Sequence, residues 1–166
     1  MVRRGQDIEW NDGIAATMAA AIHETWRALA QAEGWRMQPH LDQPYAALAP
    51  EDQADNLAAA RRMPAILAMA GLTIGKQPDG LTADAVTSRI EAAIEAMAEA
   101  EHDGWMHQKQ QAGWEWAAER DDARKRHPSM IPYAQLTDRE KNKDRNSVRH
   151  YPDFTARARL HIVNRA

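Results

Sequence analysis

His23-Glu24-Thr25-Trp26 with Gly34-Trp35, and His102-Asp103-Gly104-Trp105 with Gly113-Trp114, decide how this chain is read. In each stretch a histidine stands three residues before a tryptophan, and a second tryptophan follows nine residues after the first. A Pro-Tyr pair comes next in both halves, Pro44-Tyr45 and Pro132-Tyr133. Leu48 and Leu136 each lie three residues beyond the tyrosine, and Asn56 and Asp144 each lie eight beyond the leucine. The second half carries nine extra residues between Trp114 and Pro132. Four of the six tryptophans are therefore two copies of one pair, which identifies an internal duplication.

The surrounding pattern is helical. Alanine makes up about a fifth of the 166 residues, β-branched residues are few, and no apolar-polar alternation is sustained. Ile14, Met18, Ala21, Ile22, Trp26 and Leu29 form a stripe at helical spacing, with Asp12 as expected N-cap and Gly34 as expected stop. A second helix is expected from Pro50-Glu51-Asp52, interrupted at Met63-Pro64 and ending at Gly71. Gly75 to Gly80 punctuates the chain, and Thr82 opens a helix through Val86, Ile90, Ile94 and Met97. Residues 121–132 read as a charged surface loop, and 139–149 as a solvated helix face. The expected architecture is all-α. One helical repeat spans residues 1–75 and a second spans 81–166, and the two pack into one compact domain.

Composition removes several classes of function. Without cysteine there are no disulfides, thiolate catalysts or Cys-based zinc sites. No apolar run reaches the ~18–20 residues of a membrane helix, and Met1 to Asp7 lacks the apolar segment of a signal peptide. A cytoplasmic protein without a membrane partner is expected. A net charge of -3 argues against nucleic-acid binding, although 139–149 and 157–165 are locally basic. The seven histidines show no metal-ligand spacing beyond a weak His102/His107 pair. No glycine-rich phosphate loop or activated serine is evident. No catalytic residue, metal or cofactor is expected, and the protein is not expected to be an enzyme.

In this ordered set of residues the chain resembles the RyR domain, the tandem repeat first described in ryanodine receptors and also found in bacterial and phage proteins. The second half carries the fuller pattern: His102-x-x-Trp105, Gly113-Trp114, Arg120-Asp121-Asp122, His127-Pro128, Ile131-Pro132-Tyr133, Leu136, Glu140-Lys141 and Asp144-Arg145. The resemblance implies two helical repeats packed with pseudo-twofold symmetry. It also implies an adenine-nucleotide site in which Trp26 and Trp105 sandwich a planar ring. Lys109 falls where the family usually has arginine, and Trp116 where it usually has tyrosine.

The expected ligand is an adenine nucleotide or a nucleotide-derived signal such as an ADP-ribose-type molecule, held by a sensor or a sink. Stacking contributes about 1–3 kcal/mol per base. Asn56 offers an amide edge to the base, with Asp144 at the matching place in the second half, and Lys109 and Arg145 are the expected phosphate partners. Tyr45 and Tyr133 either line the pocket or pin their loops. His23 and His102 read as helix-to-loop hydrogen-bonders as readily as ligands. Trp35 and Trp114 read as buried anchors after a helix cap. The alternative is a protein-interaction or structural module whose tryptophans serve only the core.

Overall fold

A computed structural model describes residues 11–166. Trp10 and the segment Met1 to Asp7 lie outside the described residues. The chain forms α1 (Asp12–Glu33), α2 (Pro50–Ala68), β1 (Leu72–Gly75), α3 (Ala83–Ala92) and α4 (Ile94–Gln111). There follow β2 (Glu115–Trp116), β3 (Arg126–His127), α5 (Asp138–Arg149), α6 (Tyr151–Arg157) and β4 (His161–Asn164). The fold is mostly helical.

Strands are the main departure from the all-α expectation. β1 pairs with β4 antiparallel, Leu72 opposite Asn164 and Gly75 opposite His161, so the end of the first half is stitched to the end of the chain. β2 and β3 form a two-residue parallel pair. Four- and two-residue strands are too short to show a period of two, so they left no trace in the pattern.

Helix boundaries follow local chemistry. Asn11, not Asp12, caps α1, its side chain accepting from the Ile14 N–H at 2.9 Å. Gly34 ends α1 at φ 69°, and the Trp35 N–H returns to the Ala30 carbonyl at 2.9 Å. Gly113 (φ 90°) and Trp114, whose N–H reaches the Lys109 carbonyl at 2.9 Å, repeat this stop after α4.

The expected break at Pro64 does not occur, and α2 continues to Ala68. Proline in a helix interior costs about 3 kcal/mol or more. Met63, Ile66 and Leu67 flank it and are buried, each contributing about 1.5–3 kcal/mol, and the helix stays intact.

The main core joins both halves. Met18, Ala60, Met63 and Leu67 from α1 and α2 meet Ile90, Met97, Val148, Tyr151 and Phe154 from α3 to α6. The alanines let these helices approach closely. The halves also share local forms: a 3-10 turn over Tyr45–Ala47 follows Pro44, and one over Tyr133–Gln135 follows Pro132. No helix among the described residues is long and apolar enough to cross a membrane.

Candidate functional site

α1, α2, α4 and α5 leave a cleft of about 290 Å³ between them. Trp26, Trp35, Trp105 and Trp114 line it, together with His23, Asn56, His102, Lys109 and Asp144. Seven of the ten expected site residues are thus brought to one place, or near it, by elements far apart in sequence.

The histidines hold the frame. His23 Nε2 donates to the Gln43 carbonyl and His102 Nε2 to the Ile131 carbonyl, each at 2.7 Å. A carbonyl only accepts, so in both rings Nε2 carries the proton. Each ring lies beside its tryptophan, at 6.1 Å between centroids for His23–Trp26 and 5.6 Å for His102–Trp105. The buried histidines thereby tie the Pro-Tyr loops to α1 and α4 and brace the two half-buried tryptophans.

Charge in the cleft is mostly paired. Lys109 Nζ lies 2.6 Å from Asp55 Oδ2 and 4.3 Å from the centre of the Trp114 ring, so its charge is already matched. Asp55 Oδ1 is buried without a hydrogen-bond partner. Arg62 reaches from α2 to the buried Glu101, Nη2 to Oε1 at 2.8 Å, and the Tyr151 hydroxyl donates to Glu101 Oε2 at 2.8 Å. Gly104 makes the Arg62 crossing possible, because a Cβ there would lie 2.1 Å from Arg62 Cδ. A mid-helix glycine costs ~1 kcal/mol against alanine, and was the one sequence signal for this buried ion pair.

Three expected residues lie elsewhere. Tyr133 is buried against Ala98 and Leu136, and its hydroxyl donates to Glu95 Oε2 at 3.1 Å. Arg145 Nε pairs with Glu95 Oε1 at 2.5 Å on the far side of α5. The carbonyl of Tyr45 accepts from Gln53 at 3.1 Å, and the ring does not line the cleft. One helical position separates Asp144 from Arg145, and about 100° of rotation sends them to different faces.

Other residues enter unforeseen. α5, expected to be a solvated face apart from Asp144 and Arg145, turns Glu140, Lys143 and Ser147 to the cleft beside Asp144. Lys143 Nζ sits 4.7 Å from the centre of the Trp35 ring and makes no ion pair among the described residues. Trp35 and Trp114 are cap anchors as expected, but they also line the cavity. The Trp114 Nε1–H donates to Glu51 Oε1 at 3.1 Å.

The charged loop supplies His127, whose ring lies 4.9 Å from that of Trp105 in an edge-on arrangement. The Ser129 N–H donates to His127 Nδ1 at 3.0 Å, which leaves the proton on Nε2. Burial, with Arg120 and Lys109 nearby, pushes His127 down to about 4, so the ring is neutral at physiological pH.

A family model described as the RyR domain matches residues 77–162, more than half of the chain. This chain belongs to the RyR domain family. The matched region contains Trp105, Trp114, His127 and Asp144, so the RyR match includes the second-half wall of the cleft. Membership points to a ligand- or protein-interaction module.

Proposed function

We propose that this RyR protein is a non-enzymatic binder of an adenine nucleotide or a nucleotide-derived signal such as an ADP-ribose-type molecule, acting as sensor or sink without a cofactor. The observation that carries this reading is one cleft lined by tryptophans of both halves. Its volume of about 290 Å³ is at the lower end for small-molecule sites, commonly ~300–1,000 Å³. Trp26 and Trp105 offer stacking faces; Asn56, whose Nδ2 already donates one N–H to the Asp52 carbonyl at 3.1 Å, keeps its second N–H and its Oδ1 for a base edge; and the unpartnered Asp55 Oδ1 accepts from a ligand donor.

Lys143 replaces Arg145 in this reading as the cation nearest to hand for a phosphate. The two halves are read as copies related by a pseudo-twofold axis, which brings equivalent tryptophans to one cleft. The basic stretch 139–149 does not favour a nucleic-acid partner, because Arg145 and Arg149 are matched by Glu95 and Glu91. Trp116, 56% exposed on β2, favours a second reading in which this corner meets a protein partner.

Calorimetry with ATP and ADP-ribose tests the proposal. Heat of binding is expected for at least one of them, and Trp26→Ala or Trp105→Ala should each weaken it by about tenfold or more, the equivalent of one lost stacking face. Undiminished affinity in both variants, or no heat with either ligand, would contradict the proposal.

A further inference from the structure

Asn56 and Asp144 occupy matching places in the two halves, and both line the cleft, yet one is an amide and the other an acid. The groups around Asp144 explain how an acid is tolerated there. From α2, Arg62 faces it, but that guanidinium is committed to Glu101 at 2.8 Å. From α4, Glu101 faces it with a like charge, and His102 Nδ1 stands 3.7 Å from Asp144 Oδ2, beyond hydrogen-bond reach. From α6 comes the hydroxyl of Tyr151, already donated to Glu101. On α5 itself Lys143 and Glu140 lie nearby with opposite charges. Glu91 of α3 is spent on Arg149. No cation is therefore dedicated to the Asp144 carboxyl, whose side chain is only 19% exposed.

We propose that Asp144 enters the cleft as a neutral carboxylic acid, and so offers a ligand the same adjacent donor and acceptor that the carboxamide of Asn56 offers. The inference rests on the nucleotide-binding reading and deepens it. A carboxamide binds the adenine edge in bidentate fashion because that edge presents an acceptor beside an N–H donor. A protonated carboxyl has the same shape and the same pattern, whereas a carboxylate only accepts. The cleft then holds two such readers, one on α2 and one on α5, selecting ligands with adenine-type edges and disfavouring edges that only donate. Burial, with Glu101 beside it, pushes the Asp144 carboxyl up to about 8, in agreement with this geometry.

The test uses ADP-ribose, whose diphosphate diester does not titrate near neutrality, with the full chain at about pH 7 and about pH 9.5. Wild-type affinity should fall by about tenfold or more at the higher pH. Asp144→Asn should bind more tightly than Asp144→Ala at neutral pH and lose several-fold less than wild type on alkalinisation, when Lys143, held below the usual lysine range by burial, still titrates in both proteins. Equal pH dependence in wild type and Asp144→Asn would overturn the inference, as would a loss in Asp144→Asn as large as in Asp144→Ala.

A ligand-free arm separates this inference from the reading beneath it. A raised folded-state value means that the native state keeps a proton the unfolded chain has released, so stability is full below about pH 4 and declines as pH rises toward 8. Asp144→Asn should therefore melt higher than wild type at about pH 9 and no higher at about pH 4. If ADP-ribose fails to bind but this melting pattern appears, the ligand reading and the base-edge role fall while the neutral acid stands. If the melting pattern is absent, the neutral acid itself is refuted.

Discussion

The two halves present the same His-x-x-Trp frame to one cleft, but they fill it differently. In the first half the residue before the histidine is Ile22, the residue before the tryptophan is Thr25, and the amide is Asn56. In the second half these places hold Glu101, Gly104 and Asp144. At these three places the first half is uncharged, while the second contains a buried acid, a glycine and a second acid. Arg62 belongs to the first half but crosses over Gly104 to meet Glu101, so the charge of one half is matched by the other. The difference teaches that two stretches with the same residue spacing can keep the same histidine-to-loop hydrogen bond, at 2.7 Å in each, while the chemistry beside it diverges.

The largest expected effect comes from breaking that cross-half pair. Glu101→Ala leaves Arg62 buried without its partner and removes the acceptor of Tyr151. A loss of about 3–5 kcal/mol in urea unfolding is expected. Ile22→Ala, at the matching place, should cost clearly less, since Ile22 is only half-buried and leaves no charge behind. Similar losses for the two variants would erase the asymmetry drawn here.

A smaller effect is expected at the next pair of places. Gly104→Ala puts a methyl into the path of Arg62 and should destabilise by about 1–3 kcal/mol, despite the better helix propensity of alanine. Thr25→Ala should be near neutral on the same assay. Stabilisation by Gly104→Ala would mean that Arg62 does not need the glycine.

The same contrast shows what could be read from the chain alone. The helical frame and the Gly-Trp stops follow from spacing that repeats, and Trp26 and Trp105 both line the cleft. Boundaries such as Asn11 depended on a single side-chain hydrogen bond. The β1–β4 pair joins residues about 90 positions apart through strands too brief for a period. Beyond Asp144, the inward turn of α5 was hidden because its residues are charged, and charge usually faces water. Burial of Glu101 depends on Arg62 and Tyr151, which are distant in sequence, and the mid-helix Gly104 is the sole local hint of it. His127 was part of the family motif, but its place between Trp105 and Trp114 required the path of the long loop.

The central claim is that the cleft between the two halves receives a planar base, and a crystal structure grown with ADP-ribose or ATP tests it most directly. The expected result is a purine ring in van der Waals contact with Trp26 and Trp105, its edge within hydrogen-bond distance of Asn56 or Asp144. A nucleotide bound elsewhere on the surface, with the cleft holding only water, would contradict it.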